Sequence, residues 1–204
     1  MVLSADDPRA AAGERPLGGS DEELIRGCAR GEDGAFAHLL DRYRARVSQF
    51  VRWYLGGRSL WAEDVAQEVF VQVHRRAASF EGRSSFRTWL YGVALNVCRG
   101  HIRRDRVGRR TIDDGDGDVL AEIPDRAPGP LQSLEQAERD ALVRRAIERL
   151  PPLHRAVLHL RGWEELSYEQ IADVLSVPVG TVRSRLHNAR VALAKELADV
   201  PEVK

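Results

Sequence analysis

The sequence has 204 residues, 43% of them hydrophobic and 30% charged, enough apolar material for the core of one or two domains of ordinary size. Its 31 basic and 31 acidic side chains cancel, which by itself argues against a nucleic-acid partner and leaves that question to how the charge is distributed. Cys28 and Cys98 form neither a C-x-x-C nor a Cys/His spacing, which argues against a disulfide framework or a structural metal site. No cofactor or metal is expected, and both thiols fall on helical positions where burial is the default. No apolar run reaches the roughly 18 residues of a membrane span, and the N-terminus has no signal-peptide core. A cytoplasmic protein without membrane insertion is expected.

In chain order, residues 1–19 read as a flexible tail. Ser20-x-x-Glu23 is a capping box that opens a short helix ending near Gly31. A second helix begins near Asp33, with Phe36, Leu39, Leu40, Tyr43, Val47, Phe50, Val51 and Tyr54 as one stripe in steps of three and four, and Gly56-Gly57 stops it. A third runs from about Leu60 to Ala78 with Val65, Val69, Phe70 and Val73 inward. After the loop Ser79–Ser84, a fourth starts near Ser85 with Phe86, Trp89, Leu90, Val93, Ala94 and Val97 as its apolar line. Gly115, Gly117, Pro124, Pro128, Gly129 and Pro130 then break the pattern. Helical signal resumes from about Leu134 to Leu150, from Pro152 to Gly162, from Tyr168 to Leu175, and from Val179 to about Ala198. Strand signals are nearly absent. The expected fold is all-α: a first helical domain over 20–107, an acidic Gly/Pro linker over 108–133, a second small helical domain over 134–199, and a tail over 200–204.

The charge is clustered. Arg99, Arg103, Arg104, Arg106, Arg109 and Arg110 face one acid, Asp105. Arg183, Arg185, Arg190 and Lys195 lie in a stretch with no acid, and the segment between the two runs is acidic, with Asp113, Asp114, Asp116, Asp118, Glu122 and Asp125. Solvated helix faces are the plain reading of such runs, and the motifs decide between the two. Near the C-terminus, Ser167 is an N-cap with Gln170 three residues on. Ile171, Ala172 and Leu175 face a core, Ser176-Val177-Pro178 is a tight turn, and Val182 and Leu186 point inward from the next helix. That is the layout of a helix-turn-helix, whose second helix enters the major groove. Arg183, Ser184, His187 and Arg190 then project outward. The arginine fork suits guanine O6 and N7, and Thr181 and Ser184 suit phosphates near the helix start. For His187, an ordinary exposed histidine is the alternative.

In the first domain, Asp64, Gln67, Glu68 and Gln72 line one face of the third helix, either a solvated face or a docking surface for another protein. The fourth helix joins aromatics at its start to a basic end. Trp89 can stack on an unpaired base, a contact worth about 1–3 kcal/mol, and Asn96 can pair with a flipped base edge.

Together, Glu63-Asp64-Val65-Ala66-Gln67-Glu68-Val69-Phe70, then Phe86 through Asn96, then Leu166 through Ala172 with Val179 through Leu186, resemble the extracytoplasmic-function sigma factors of the sigma-70 family. The resemblance covers about residues 20–107 and 134–198. It implies a sigma-2-like bundle followed by a sigma-4-like helix-turn-helix domain. Asp64, Gln67, Glu68, Phe70 and Gln72 would dock on the clamp helices of the beta-prime subunit of core RNA polymerase, and the second domain on the beta flap. Phe80, Arg83, Ser84, Trp89 and Asn96 would take the minus-ten element, with Arg99, Arg103 and Arg104 neutralising phosphates. Thr181, Arg183, Ser184, Arg185, His187, Asn188 and Arg190 would face the minus-thirty-five element. The acidic linker would thread toward the active-site and RNA-exit path, and an anti-sigma factor would sequester the protein. Asn188 departs from the basic residue frequent at its position. Such a protein is no enzyme, and promoter DNA and polymerase are its partners. Two other classes stand beside this one. A stand-alone helix-turn-helix regulator leaves the third- and fourth-helix features unexplained. A small enzyme with a nucleic-acid-binding tail finds no nucleophile–base pair, metal spacing or phosphate loop.

Overall fold

The structure is a computed structural model that describes residues 19–56, 61–111 and 141–198. Among these residues every regular element is helical: α1 Asp21–Ala29, α2 Ala35–Leu55, α3 Ala62–Arg75, a 3-10 turn at Ala77–Ser79, α4 Phe86–Thr111, α5 over residues 141–148, α6 Pro152–Gly162, α7 Tyr168–Leu175 and α8 Val179–Ala198. The expected tails, the body of the linker and residues 134–140 lie outside the described residues.

Local chemistry sets the boundaries. The Ser20 hydroxyl accepts from the Glu23 backbone N–H, while the Glu23 carboxylate accepts from the Ser20 N–H at 2.8 Å, so two orphan donors at the start of α1 are satisfied. The Ser85 hydroxyl accepts from the Thr88 N–H at 3.2 Å, and the Glu22 carboxylate of α1 accepts from the Phe86 N–H at 2.9 Å. A carboxylate from one helix thus caps the first turn of another. Gly56 ends α2 at φ +91°, with its N–H on the carbonyls of Arg52 and Trp53. The fourth helix runs four residues past the expected domain edge at 107. A single glycine, Gly108, costs only about 1 kcal/mol, and the arginines around it are good helix formers.

The first four helices pack around Leu39, Tyr43, Val47, Phe50, Val69, Val73, Phe86, Leu90 and Ala94, all buried. The last four pack around Ile147, Val157, Leu160, Ile171, Leu175, Val182 and Leu186. These two helical units are those expected, but they do not stand apart. Helix α2 packs on α6 and α4 on α7, so that buried residues of both units belong to one continuous core. This explains a second stripe on α4 that the apolar line above omits. Tyr91, Leu95 and Cys98, in steps of four and three, are fully buried, because α4 is covered by the N-terminal bundle and also by α7.

Candidate nucleic-acid interface

The helix-turn-helix is formed by α7 and α8. Ser167 caps α7 reciprocally: its hydroxyl accepts from the Gln170 N–H at 3.2 Å, and Gln170 Oε1 accepts from the Ser167 N–H at 2.8 Å. Ser176 closes the helix in the left-handed region at φ +55°, and its N–H and that of Val177 return to the carbonyls of Asp173 and Ala172. Pro178 O then accepts the Thr181 N–H at 2.9 Å, which starts α8. Val182, Leu186 and Ala189 lock α8 to the core. Arg183, Ser184, His187, Asn188 and Arg190 are all exposed, and Thr181 and Arg185 are half-buried. Arg183, His187 and Arg190 stand at i, i+4 and i+7 and make one stripe, with Ser184 and Asn188 beside it. The Ser184 hydroxyl donates to Thr181 O at 3.0 Å, which leaves its lone pairs outward. One neighbour escaped the sequence reading: Glu169, at the start of α7, lies close enough to Arg183 for the guanidinium to help hold its carboxyl below the ordinary range, after its own backbone and the Ser167 hydroxyl.

The second basic face lies on α4. Asn96, Arg99, Arg103 and Arg104 are exposed and Trp89 half-buried. At 100° per residue, Trp89, Asn96 and Arg103 fall within about 40° of one another, with Arg99 and Arg104 on either flank. This makes a ridge roughly 21 Å long at 1.5 Å per residue, an aromatic at one end and guanidiniums at the other. Arg99 also lies beside the buried Tyr54 phenol. In the loop before α4, Arg83 is exposed and pairs with Glu81 at 2.5 Å, and Ser84 is half-buried. Phe80 does not belong to the surface. It is 9% exposed and packs edge-on against Phe86 and Trp89, with ring centroids 6.2 and 5.6 Å away. An apolar ring beside two others gains more from burial than from water, so Phe80 lies beneath the half-buried Trp89.

On α3, Asp64 and Gln67 are exposed, and Gln72 donates to Glu68 at 2.6 Å. Phe70, inward by period and on the docking face by resemblance, is in the core at 7% exposure. Helical position explains it: Phe70 continues the inward line of Ala66, Val69 and Val73. The exposed apolar residue of the face is Val71, four residues after Gln67 and 41% exposed. The heptad spacing from Asp64 was the signal for it.

Comparison with known proteins accords with this layout. Residues 39–107 match the family model described as sigma-70 region 2, and residues 132–193 the one described as sigma-70, region 4. The RNA polymerase sigma-H factor of Pseudomonas aeruginosa is 38% identical over 187 residues, covering 87% of this chain and 93% of that protein. The ECF RNA polymerase sigma-E factor of Escherichia coli is 35% identical over 181 residues, covering 85% and 92%. Among solved structures, CnrH in complex with the cytosolic domain of CnrY is similar, with TM-score 0.61, 25% identity and 88% of this chain and 99% of that one covered. The sigma factor RpoE of Bartonella quintana, in complex with the anti-sigma factor NepR, shares the fold at TM-score 0.66 and 21% identity over 81% of this chain and 98% of that one. The chain belongs to the sigma-70 family of RNA polymerase sigma factors, and within it to the extracytoplasmic-function type.

Proposed function

We propose that the chain binds core RNA polymerase through the α3 face and directs initiation by reading a minus-ten element with α4 and a minus-thirty-five element with α8. The observation that carries this reading is the pair of exposed basic helix faces in one otherwise neutral chain, one with an aromatic and an asparagine beside its arginines, the other on a helix-turn-helix. An aromatic–basic ridge suits unpaired bases on a phosphate track, and a stripe of arginine, histidine and arginine near a helix start suits base edges in duplex DNA. Asp64, Gln67, Glu68, Val71 and Gln72 form the docking face, mixed polar and apolar as protein interfaces are. The domain boundaries follow: the sigma-2-like unit ends with α4, and the sigma-4-like unit starts ahead of α5. The chemistry of RNA synthesis belongs to the polymerase, so the chain acts where that enzyme is, in the cytoplasm. No helix among the described residues is long and apolar enough to cross a membrane. An anti-sigma factor is the expected regulator.

The deciding experiment is transcription by bacterial core polymerase on a randomised promoter library with and without the protein. Start sites that appear only with it, and that share two sequence elements, support the reading. Tight duplex binding by the protein alone, with no initiation, would move it to an operator-binding regulator. Within the positive case, Asp64→Arg is expected to lower affinity for core at least tenfold without loss of helicity, and unchanged affinity would remove α3 from the docking surface.

A further inference from the structure

The basic ridge of α4 has its aromatic end at Trp89, and just ahead of α4 lies the loop of residues 80–84. A single strand laid along the ridge does not end at that loop, because DNA carries a phosphate at every nucleotide. On the far side of the loop stands α1. It packs on the 3-10 turn before the loop and on α4 after it. Glu22 fixes its register by accepting from the Phe86 N–H at 2.9 Å. Arg26 follows four residues on, one turn along the same face. A Cβ built on Gly82 would stand 4.0 Å from Arg26 Nη2, and Gly82 has φ +71°, a backbone conformation that favours glycine. Both residues are exposed, so the guanidinium lies open at the tip of the loop.

The acids around Arg26 are engaged elsewhere. Asp21 accepts from Arg42 at 2.8 Å and from the Tyr43 hydroxyl. Glu22 holds the Phe86 N–H, and Glu23 closes the capping box on Ser20. The Glu23 carboxyl is lowered first by its Ser20 partner and least by Arg26. Arg26 makes no ion pair among the described residues. The guanidinium of the loop itself, on Arg83, is paired with Glu81 at 2.5 Å. A cation in the last turn of α1 suits the carbonyl end of that helix, but such a role asks for no approach to the loop.

We propose that Arg26 is a further contact to DNA: its guanidinium takes a backbone phosphate where the single strand passes the loop, and carries the track of α4 onto α1. The inference rests on the reading given under Proposed function and adds to it a residue and a strand path. The ligand is a phosphodiester and not a base. A guanidinium binds phosphate oxygens through two parallel N–H donors, and a phosphate contact carries no sequence information of its own. The contact therefore strengthens binding equally on every minus-ten sequence.

The test uses holoenzyme reconstituted from core polymerase and the full chain. The DNA is a fork whose non-template strand is single-stranded from the minus-ten element onward, with a sequence selected from the randomised library. Binding is followed by fluorescence anisotropy as salt is raised. Arg26→Gln is expected to make the slope of log affinity against log salt shallower by about 0.7, the contribution of one phosphate of a single strand. Between about 50 and about 200 mM salt the wild-type advantage then shrinks about 2.6-fold. Arg26→Lys, which keeps the charge, is expected to keep the slope. A neutral methylphosphonate is also moved one position at a time along the single strand. It is expected to find one linkage whose neutralisation abolishes the difference between wild type and Arg26→Gln. An unchanged slope with no such linkage overturns the proposal. A lowered affinity for core alone, without DNA, overturns it by making Arg26 a contact to polymerase. A preference altered at one base overturns it by making Arg26 a reader of sequence. A lowered thermal midpoint with the slope retained leaves Arg26 a structural residue of α1 and overturns it too. Wild-type holoenzyme that neither initiates nor binds the fork overturns the sigma reading itself, whereas a wild type that does both, with Arg26→Gln indistinguishable from it, overturns the contact alone.

Discussion

Gly56 answers to two constraints at once, and neither is local hydrophobicity. Its φ of +91° lies where a side chain is strained, and the space its Cβ would fill holds the Arg155 guanidinium. Gly56→Ala is expected to destabilise the protein by about 1–2 kcal/mol from backbone conformation alone, and by more through displacement of Arg155. Urea unfolding measures it, and a loss under half a kcal/mol would mean the turn relaxes freely. Cys98 sits at the other extreme of exposure. Burial pushes its thiol up to about 12, and only the thiolate is a good nucleophile. At pH 8 Cys98 is expected to stay unmodified by a thiol reagent while the half-buried Cys28 reacts, with both reacting in urea. Fast labelling of Cys98 in the native protein would show that α4 parts from its neighbours.

For whole elements, the faces that carry function are set by helical period, and the period also says which residues are not on them. Phe70, inward by period and part of the docking face by resemblance, lies in the core, and so does Phe80. The i, i+3, i+4 line through Ala66, Val69 and Val73 already placed Phe70 inward. For Phe80 no period was available, because it lies in the loop, and its burial is decided by Phe86 and Trp89 across the turn. The recognition helix was legible for the opposite reason: Val182 and Leu186 fix its inward side, so the stripe from Arg183 to Arg190 can only face out. Arg183→Ala is expected to weaken discrimination at the minus-thirty-five element by about 1–3 kcal/mol if its fork pairs with guanine. A selection on the randomised promoter would show relaxed preference at one position, and an unchanged consensus would make Arg183 a phosphate contact. Ser167→Ala removes the cap of α7 and is expected to cost about 1 kcal/mol, read as a lower thermal midpoint.

For the molecule as a whole, the seam between the two units makes stability depend on pH. Burial alone would raise the Glu164 carboxyl, but His159, Tyr91 and Arg46 outweigh it and hold it below the ordinary value of 4.5. A carboxyl lowered in the folded state stabilises that state above its ordinary value, and the contribution fades as pH falls through that value toward the lowered one. Acid is therefore expected to lower the thermal midpoint as pH falls below 4.5, and Glu164→Gln to flatten that dependence. An identical pH dependence in the Glu164→Gln variant would mean that Glu164 contributes nothing to stability across the seam.

The amino-acid order by itself determined the helices, the Ser20 and Ser167 caps, the helix-turn-helix and the two basic faces. Each of these follows from spacing within ten or twenty residues, where 3.6-residue periodicity and side-chain-to-backbone capping act. It did not determine that the two units share a core. Arg46 and Glu164 are 118 residues apart, as are no two groups in a local motif, and Arg155 reaches Tyr54 across 101. Tyr91, Leu95 and Cys98 were visible as apolar residues on a helix that already had one buried side. What they bury against is a question of which surfaces meet in space, and only the tertiary structure answers it.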